Sequence, residues 1–567
     1  MAASAYANST DIKMAVSKNG IITSIMVILI LLFIVPAQIR PENFLPDDSY
    51  YYLQVAYNIV NGHGSTFNQV TRTNGYHPLW MVLCIAGLFV SGGDKLIALH
   101  VILAMQALLF LGVVWWFFKI AKLISLRFWY VALPVLAAYF LTGLYGSEAH
   151  INALMLTLAI YYLLIAFTSK RISHWIATSI FLGLAVLARL DNVFIIGALL
   201  FFGLMEQRDL DFRTWTRVFF AATLPCFLLI MSYLLYNFFS YGHGVPISGA
   251  IKSTFPQITA RIDNLNYLGK IVSFFGLLSI IFSFGFKSHA LRKTLLRAMG
   301  TGVIVLAGYV VLFTDHLTQL SWYYVSGVLN MVFLLCLVLE WIAFKAKNTI
   351  NPATIHYSVT AGIVLLTVTG IARGWYKAFN PEVITSGTPF FFLQKRLYQE
   401  RWEKEFAVWM KRNILTQDAI LIFDGPGAIA YYSDLKILPM DGLMSDYTYN
   451  DELLALGIHK YLRSKKIGFY LGPVLSRGSS YRKHWMNATG GDGMQEIEVY
   501  APLYRRSAGK IVVSDRNIVC RSRDVTEHPL APALAIWKIE NAGHYPAQEK
   551  GPHGHETPAH HFTGIYP

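Results

Sequence analysis

Long apolar runs constrain this chain most strongly, because most of them are long enough to cross a lipid bilayer. A helix rises about 1.5 Å per residue, so about 20 apolar residues span the hydrocarbon core. Of the 567 residues, 55% are hydrophobic and only 14% are charged. The sequence therefore predicts an all-α polytopic membrane domain with about eleven transmembrane helices. The predicted spans are 21–39, 96–118, 128–144, 150–168, 173–189, 193–206, 217–239, 268–286, 298–315, 323–344 and 355–373.

A further apolar stretch, residues 78–92, is too short for a span and predicts a juxtamembrane helix. If it does not cross, the basic loops between the other runs all fall on one face, which the positive-inside rule makes cytoplasmic. We therefore expect a multi-pass protein of the bacterial inner membrane with a cytoplasmic N-terminus. The run at 21–39 would be an uncleaved anchor, and the C-terminal region would lie on the periplasmic face.

The net charge of +14 does not indicate nucleic acid as a partner. The lysines and arginines cluster in short loops between apolar runs, and no basic stripe alternates with aromatic residues. Of the four cysteines, Cys84, Cys226 and Cys336 lie in apolar segments, and Cys520 is isolated. No disulfide or zinc framework follows from this spacing.

The composition changes after about residue 373, where charge, glycine and proline increase and apolar runs of span length end. Ala419–Asp424 predicts a buried strand, 425–432 a turn into a short helix, and Lys436–Pro439 a second strand. This pattern is typical of a small α/β domain. We divide the chain into a membrane domain at 1–373, with its first outer loop at 40–95, an extracytoplasmic α/β domain at 374–542 and a disordered His/Pro-rich tail at 543–567.

Two adjacent carboxylates, Asp47 and Asp48, follow the first predicted span. Neighbouring like charges near a membrane surface repel each other and lose hydration, so a loop without a function has no reason to keep both. The pair suits a site that removes a proton or binds a divalent cation. The alternative is that one carboxylate caps the helix predicted over 49–60.

Further polar motifs fall on the same predicted outer face. A turn at 73–80 presents Asn74, His77 and Trp80, although an interfacial aromatic anchor would explain Trp80 alone. The segment Gly146–His150 contributes Glu148 and His150, and a helix cap is the alternative for Glu148. A transporter would be expected to place ionisable groups near mid-membrane and to repeat its halves, and neither pattern is evident. Convergence on one face favours an enzyme at the outer leaflet.

Basic residues of two outer segments are candidates for binding an anionic head group. Arg189 has the guanidinium geometry that grips phosphate, but its neighbour Asp191 also fits a structural ion pair. The loop at 241–252 presents His243 and Lys252, and an ordinary solvated loop is the alternative. At the next outer junction, an aromatic belt or sugar stacking would explain Trp322 and Tyr323.

The first outer loop resembles that of bacterial GT-C glycosyltransferases. The resemblance rests on Asp-Asp-Ser-Tyr-Tyr, the following Gly-His-Gly and Thr-Asn-Gly-Tyr-His-Pro-Leu-Trp. These polytopic enzymes take a sugar from a polyprenyl-phosphate carrier. The most similar group holds the terminal arabinofuranosyltransferases of mycobacteria and the arabinosyltransferase that modifies Pseudomonas type IV pilin. Four further segments are also similar, namely Gly-Ser-Glu at 146–148, Ala-Arg-Leu-Asp at 188–191, Tyr-Asn to Lys at 236–252 and Gly-Ala-Ile-Ala-Tyr-Tyr-Ser at 427–433 with Met-Asp-Gly-Leu at 440–443.

The resemblance implies catalytic roles for Asp47 or Asp48, as general base or cation ligand, and for Glu148 as a second acid. It implies that Arg189 or Lys252 holds the carrier phosphate. The chain departs from the common Arg-Pro-Asp form, and Trp322-Tyr323 stands where Arg-Tyr is usual. The expected donor-binding residues are Tyr51, Asn74, His77, Trp80, His150, Arg189, Asp191, His243, Lys252, Trp322 and Tyr323.

The expected function is thus transfer of a sugar from a polyprenyl-phosphate donor lipid to a periplasmic acceptor. Arabinofuranose is favoured, and mannose or another hexose stays open. The acceptor is a cell-envelope glycan or a pilin-like protein. The cofactor expected, if any, is a divalent cation at Asp47 and Asp48. A transporter or flippase for a lipid-linked sugar and a non-catalytic scaffold are the alternatives.

Overall fold

The structure of the protein is a computed structural model. Most of the predicted spans at 21–39 and 355–373 and the tail predicted at 543–567 lie outside the residues that it describes. The described residues are 34–35, 37–126, 128–169, 171–285, 290–314, 321–345, 361–362, 365, 372, 399–414, 419–425, 427–483, 486–521 and 534–539.

The described part of the membrane domain is helical, which confirms the predicted all-α architecture. Short loops and single 3-10 turns join its α-helices. These helices are α1 (Asp47–Val60), α2 (Pro78–Val90), α3 (Lys95–Leu123), α4 (Ala132–Gly143), α5 (Ala149–Ser169), α6 (Ile172–Ala188), α7 (Val193–Met205), α8 (Phe212–Tyr241), α9 (Ile247–Lys252), α10 (Tyr267–Ser283), α11 (Ala290–Phe313) and α12 (Val325–Lys345).

Five helices in the described residues are long and apolar enough to cross a membrane: α3, α5, α8, α11 and the segment Trp322–Lys345 that contains α12. They coincide with five of the predicted spans. The predicted spans at 128–144, 173–189, 193–206 and 268–286 correspond to shorter apolar helices. The protein is therefore a multi-pass membrane protein, while the count of eleven spans and the orientation remain predictions.

Burial differs between the long helices and shows which of them form the core. Helix α5 is mostly covered by its neighbours, whereas α8 is mostly open. On α8, Phe220, Phe227 and Leu228 are more than half exposed, at 55%, 57% and 53%. Large apolar side chains in a continuous exposed strip require an apolar solvent, so this face of α8 is a lipid-facing surface.

Helices α1 and α2 lie in the segment 40–95, the predicted first outer loop, and correspond to the helices predicted at 49–60 and 78–92. Pro78 begins α2, where its missing N–H is not needed. Gly92 and Gly93 follow the helix with positive φ values of 64° and 81°, which end it. With only 13 residues, α2 is too short to span a bilayer.

The C-terminal region is an α/β domain with two sheets. The parallel strands β2, β1 and β3 form one side of a five-stranded sheet of order β2-β1-β3-β9-β8, and a second sheet has the order β4-β5-β6-β7. The two strands predicted from the sequence are β1 and β2. The elements are α13 (Gln399–Asn413), β1 (Ala419–Ile422), α14 (Gly427–Ser433), β2 (Lys436–Pro439), α15 (Tyr447–Ser464), β3 (Ile467–Pro473), β4 (Ser480–Lys483), β5 (Met486–Gly490), β6 (Met494–Ala501), β7 (Arg506–Ser514), β8 (Ile518–Arg521) and β9 (Leu534–Lys538).

The carboxyl ends of β1 and β2 meet the first outer loop. After β1, the backbone N–H of Ala428 donates a hydrogen bond of 3.0 Å to Asp47 Oδ1. After β2, the carbonyl oxygen of Leu443 packs against Gly75 so closely that an added Cβ atom would lie 1.8 Å from it. These contacts place the carboxyl edge of the parallel strands against Asp47 and Gly75 of the membrane domain.

A cluster of charged residues holds the two domains together at a third point. Lys95, at the start of α3, donates hydrogen bonds of 2.6 Å to Asp434 and to the carbonyl oxygen of Tyr431. Lys411 of α13 also pairs with Asp434. The Lys95 ammonium lies 4.1 Å from the ring centroid of Tyr57. The α/β domain is thus fastened to both α1 and α3.

Candidate active site

A pocket lies where the membrane domain meets the α/β domain. It encloses about 540 Å³ of empty space, part of which is open to solvent. Its walls come from both domains. The lining residues are Asp48, Tyr51, Tyr52, Gly75, His77, Ser147, Glu148, Arg189, Ser248, Lys252, Trp322, Tyr323, Leu443 and Met444.

The structure separates the two adjacent carboxylates. Asp48 lines the pocket, together with Tyr51 one turn further along α1. Asp47 is turned toward the α/β domain, where Oδ1 accepts from Ala428 at the first turn of α14. A carboxylate is stabilised at that position because the N-terminal N–H groups of a helix are unpaired and carry partial positive charge. Asp47 therefore joins the domains, and Asp48 faces the cavity.

Glu148 reaches the pocket because Gly146 lets the chain pass close to α1. Gly146 has a φ of 76°, and an added Cβ atom would lie 1.8 Å from Ser49 Oγ, so only glycine fits. The Gly146 N–H donates a hydrogen bond of 2.7 Å to Gln106 Oε1. Its carbonyl oxygen accepts one of 3.1 Å from Trp80 Nε1. Trp80 is thus fully buried under the pocket and supports this turn.

Arg189 is held between two carboxylates. Its guanidinium donates to Glu148 Oε1, and its Nε lies 2.8 Å from Asp191 Oδ1. The side chains of Arg189 and Glu148 are only 4% and 3% exposed. Burial lowers the pKa of Arg189, but the charges of Asp191 and Glu148 outweigh burial and hold this pKa above its ordinary value. The positive charge of Arg189 is therefore already balanced within the protein.

Burial also shifts the pKa values of Glu148 and His77, the two titratable groups beside Arg189. It raises the pKa of Glu148, against the opposing effect of Arg189. It lowers the pKa of His77, and the nearby charges of Arg189 and Lys252 lower it further. His77 Nε2 lies 3.9 Å from Glu148 Oε1, so at neutral pH a neutral imidazole faces the carboxylate. The backbone N–H of His77 donates a hydrogen bond of 3.2 Å to the Tyr52 hydroxyl.

Lys252 contributes a second buried cation beside Tyr323. Its ammonium donates a hydrogen bond of 2.9 Å to the Tyr323 hydroxyl. Among the described residues, no carboxylate lies within ion-pair distance of it. Burial lowers the pKa of Lys252, but Tyr323 and Asp48 outweigh burial and raise it above the ordinary value. The Arg189 guanidinium carbon lies 3.9 Å and the Lys252 ammonium 5.6 Å from the centroid of the Tyr323 ring, so both cations adjoin this tyrosine.

Five predicted donor-binding residues lie outside the pocket lining. Asn74 accepts from the Ile247 N–H at 3.1 Å and thereby fixes the start of α9. His150 is buried between Phe140 and Tyr145, with ring centroids 5.2 Å and 5.9 Å away. Two more are Trp80, described above, and His243, which stacks on Tyr447 of the α/β domain with ring centroids 3.8 Å apart. Asp191 also acts from outside the lining, through Arg189.

A divalent cation at Asp47 and Asp48 remains a prediction. Among the described residues, no group of three or more histidine, cysteine, aspartate or glutamate side chains is placed to hold a metal ion. Asp47 Oδ1 already accepts a hydrogen bond from Ala428.

Six further residues line the pocket without having been predicted as site residues: Tyr52, Gly75, Ser147, Ser248, Leu443 and Met444. Tyr52, Gly75 and Ser147 each adjoin a predicted site residue, and Ser248 lies within the predicted loop at 241–252. Leu443 and Met444 carry no chemical signal of their own. They line the pocket only because the turn after β2 docks on Gly75.

Comparison with known proteins finds no matching protein-family model and no matching curated protein. Among solved structures, the apo crystal structure of ArnT from Cupriavidus metallidurans has a TM-score of 0.47 at 13% identity, covering 88% of this chain and 98% of that chain. ArnT from the same organism bound to undecaprenyl phosphate gives 0.46 at 13% identity, covering 74% and 86%. A cryo-EM structure of the arabinofuranosyltransferase AftD from Mycobacteria gives 0.38 at 12% identity, covering 91% of this chain and 41% of AftD.

Proposed function

We propose that this protein is a membrane glycosyltransferase that transfers a sugar from a polyprenyl-phosphate carrier to an acceptor outside the cytoplasm. The observation that carries the proposal is the pairing of a carboxylate and a buried cation in one pocket: Asp48 on one wall and Lys252 on another. Transfer of a sugar from a phosphate carrier needs a base for the acceptor hydroxyl and a positive group for the departing phosphate.

Lys252 is the better candidate to hold the phosphate. Arg189 already balances Glu148 and Asp191, so a further anion would gain little from it. Lys252, in contrast, bonds to the uncharged Tyr323 hydroxyl and lines the cavity. An ammonium group in a partly dry pocket attracts an anion more strongly than it would in water. The sequence left Arg189 and Lys252 as alternatives for holding the phosphate, and this difference favours Lys252.

Asp48 is the candidate general base. It accepts the proton of the acceptor hydroxyl, whose oxygen forms the new bond to the anomeric carbon. The bond between that carbon and the phosphate oxygen breaks, and the phosphate leaves with the bonding electrons. Lys252 stabilises the second negative charge that develops on the leaving phosphate. No step in this scheme requires a metal ion.

In this scheme, Glu148 and Arg189 hold Tyr323 and Lys252 in place. Their ion pair, together with Asp191, fixes the guanidinium under the ring of Tyr323. The ring in turn places its hydroxyl beside Lys252. Pre-organised groups of this kind lower a barrier because they do not have to rearrange when charge develops.

The sugar and acceptor follow from the resemblance of the first outer loop. Arabinofuranose is favoured, mannose is the runner-up, and the acceptor is a cell-envelope glycan or a pilin-like protein. The aromatic residues Tyr51, Tyr52 and Trp322 line the pocket and suit the apolar face of a sugar ring.

Transfer of radiolabelled sugar tests the proposal. Purified protein in proteoliposomes is given polyprenyl-phospho-arabinose or polyprenyl-phospho-mannose and membrane acceptors, and the Asp48→Asn variant serves as the matched control. We expect transfer from one donor and its loss in the variant. If folded wild-type protein releases no polyprenyl phosphate from either donor but moves the intact lipid across the bilayer, the protein is a lipid-linked sugar transporter and the proposal is wrong.

A further inference from the structure

The loop at 253–262, between α9 and α10, holds large apolar side chains away from the rest of the protein. Phe255, Ile258 and Ile262 are 69%, 67% and 65% exposed. Three such side chains in one short segment are unfavourable in water, so their exposure marks a surface that meets another apolar phase or partner.

Backbone hydrogen bonds fix this loop to the end of α11. The N–H of Thr254 donates a hydrogen bond of 2.8 Å to the carbonyl oxygen of Phe313. The N–H of Arg261 donates one of 2.9 Å to the carbonyl oxygen of Val311. The loop thereby satisfies carbonyl groups that the last turn of a helix leaves unpaired. Its apolar side chains are therefore held outward by a fixed backbone.

The position of the loop along α11 sets its depth in a membrane. Helix α11 has 24 residues and is apolar enough to cross a bilayer. At about 1.5 Å per residue it is about 36 Å long, whereas the hydrocarbon core is about 30 Å thick. The apolar run predicted as a span, 298–315, ends in the turn to which the loop is bonded. The loop is therefore level with the boundary between acyl chains and head groups.

An exposed apolar strip on the neighbouring helix leads into the loop. Helix α10 packs against α11. Its side chains Phe274, Leu277 and Ile281 are exposed, and their spacing of three and four residues places them on one face. Tyr267 at the start of α10 and Ile262 before it are also exposed and extend this strip. The loop is thus continuous with a surface that, like that of α8, suits lipid.

Exposed charges accompany the apolar side chains of the loop. Arg261 is exposed, and Asp263 lies 3.7 Å from Lys270 in an exposed pair. Such charges are costly in hydrocarbon but favourable among head groups. The mixture suits an interface in which apolar side chains reach the acyl chains while charged groups stay at the surface.

We propose that the loop at 253–262 inserts into the lipid leaflet on the pocket side of the membrane, with Phe255, Ile258 and Ile262 as its anchors. The loop begins directly after Lys252, and Ser253 pairs with Thr314 at the end of α11. Insertion therefore holds the pocket near the depth at which lipid phosphate groups lie. The proposal concerns how the protein sits in the membrane and does not require sugar transfer.

Quenching of a fluorophore by labelled lipids tests this insertion. The full-length variant Ile258→Cys is labelled with the environment-sensitive dye NBD in phosphatidylcholine nanodiscs, and the four native cysteines are buried. Met494→Cys in β6, a position 55% exposed in the α/β domain, is the matched control. With a nitroxide on the acyl chains near the head groups, we expect fluorescence at position 258 to fall about twofold or more, and that at position 494 to change little.

The outcomes decide the proposal independently of enzymatic activity. Quenching at position 258 no stronger than at position 494 overturns it. Protection of position 258 from both lipid nitroxides and aqueous iodide would show that protein covers the loop, which also overturns it. The variant Phe255→Cys repeats the measurement at a second anchor, so a folding defect in Ile258→Cys does not decide the result. Since no sugar transfer is measured, failure of the proposed function leaves this test unaffected.

Discussion

The carboxylate of Asp47 accepts a hydrogen bond from the N–H of Ala428, 381 residues further along the chain. The neighbouring Asp48 instead lines the pocket with Lys252. Two residues that look equivalent in the sequence therefore serve different parts of the fold. One joins the membrane domain to the α/β domain, and the other faces the space where a substrate would bind.

Asparagine at the two positions should separate their roles. Asp48→Asn should lower sugar transfer by about 1,000-fold or more, because it removes the proposed base. Asp47→Asn should keep most of the activity and lower the free energy of unfolding by about 1 kcal/mol, the usual contribution of a charged cap. Transfer rates and thermal unfolding of both variants provide the measurement. Equal loss of activity in the two variants would contradict the assignment.

Lys252→Met should remove the cation that we propose binds the phosphate, while keeping most of the length of the side chain. We expect kcat/KM for the donor to fall by about 100-fold or more, because one preorganised charge typically supplies about 3 kcal/mol to a transition state. Lys270→Met is the control, since Lys270 is half exposed and pairs with Asp263. Steady-state kinetics with increasing donor lipid measure the effect. Wild-type kinetics in Lys252→Met would rule out this role.

Removing one partner of the Glu148–Arg189 pair should destabilise the fold. Glu148→Gln leaves Arg189 with a single carboxylate in a buried setting, and breaking such a pair costs about 3–5 kcal/mol. Thermal unfolding in detergent micelles measures the change. Lys510→Gln breaks an exposed pair with Glu496 and should change stability by less than about 1 kcal/mol. Similar midpoints for the two variants would show that the buried pair is dispensable.

Gly75→Ala should disturb the docking of the α/β domain. Its Cβ atom would lie 1.8 Å from the Leu443 carbonyl oxygen, so the backbone must shift, at a cost of about 1–3 kcal/mol. Gly244→Ala is a control on a neighbouring outer loop, because the nearest atom to its Cβ would be 3.6 Å away. Limited proteolysis between the domains should be faster only in Gly75→Ala. Unchanged cleavage would mean that the contact does not hold the domains.

Asp441, a buried carboxyl group in the turn after β2, should make stability depend on pH, because burial raises its pKa. In the folded protein its pKa is about 7, whereas an exposed aspartate in the unfolded chain has a pKa of about 3.9. Between these values the folded state keeps a proton that the unfolded state has released. The free energy of unfolding therefore falls as the pH rises through this window, by about 4 kcal/mol in total.

The Asp441→Asn variant has no titrating carboxyl group at this position, so its stability provides the comparison with wild type. The difference in unfolding free energy between wild type and variant should shift in favour of the variant from pH 5 to pH 8. Chemical denaturation in micelles at each pH gives this difference. A constant difference across the range would show that Asp441 does not titrate there.

Much of the fold was predictable because its signals are local. The apolar runs at 96–118 and 217–239 indicate α3 and α8, and Ala419–Asp424 indicates β1. The predicted span at 128–144 shows the limit of this reasoning. The structure instead has a 3-10 turn at Trp129–Val131 followed by the shorter helix Ala132–Gly143. Hydropathy measures how apolar a segment is, and it is insensitive to a local change in backbone geometry.

The candidate site was predictable only in part. Chemical type and position at a span end brought Asp48, Glu148, Arg189 and Lys252 into consideration, and the structure places all four around one pocket. The same reasoning selected His150, which the structure buries between two aromatic rings away from the lining. A residue's chemistry does not show which way its helix faces, so the sequence could not separate these cases.

The sequence by itself determined a multi-pass helical protein with an α/β domain after it, because length, hydropathy and strand patterning depend on consecutive residues. Only the tertiary structure decided that Asp48 rather than Asp47 faces the pocket, that Arg189 is balanced by two carboxylates, and that the turn at Asp441 joins the site. These features depend on contacts between residues far apart in the chain. The physical reason is that burial and Coulomb interactions are set by distance in space, which local sequence patterns do not specify.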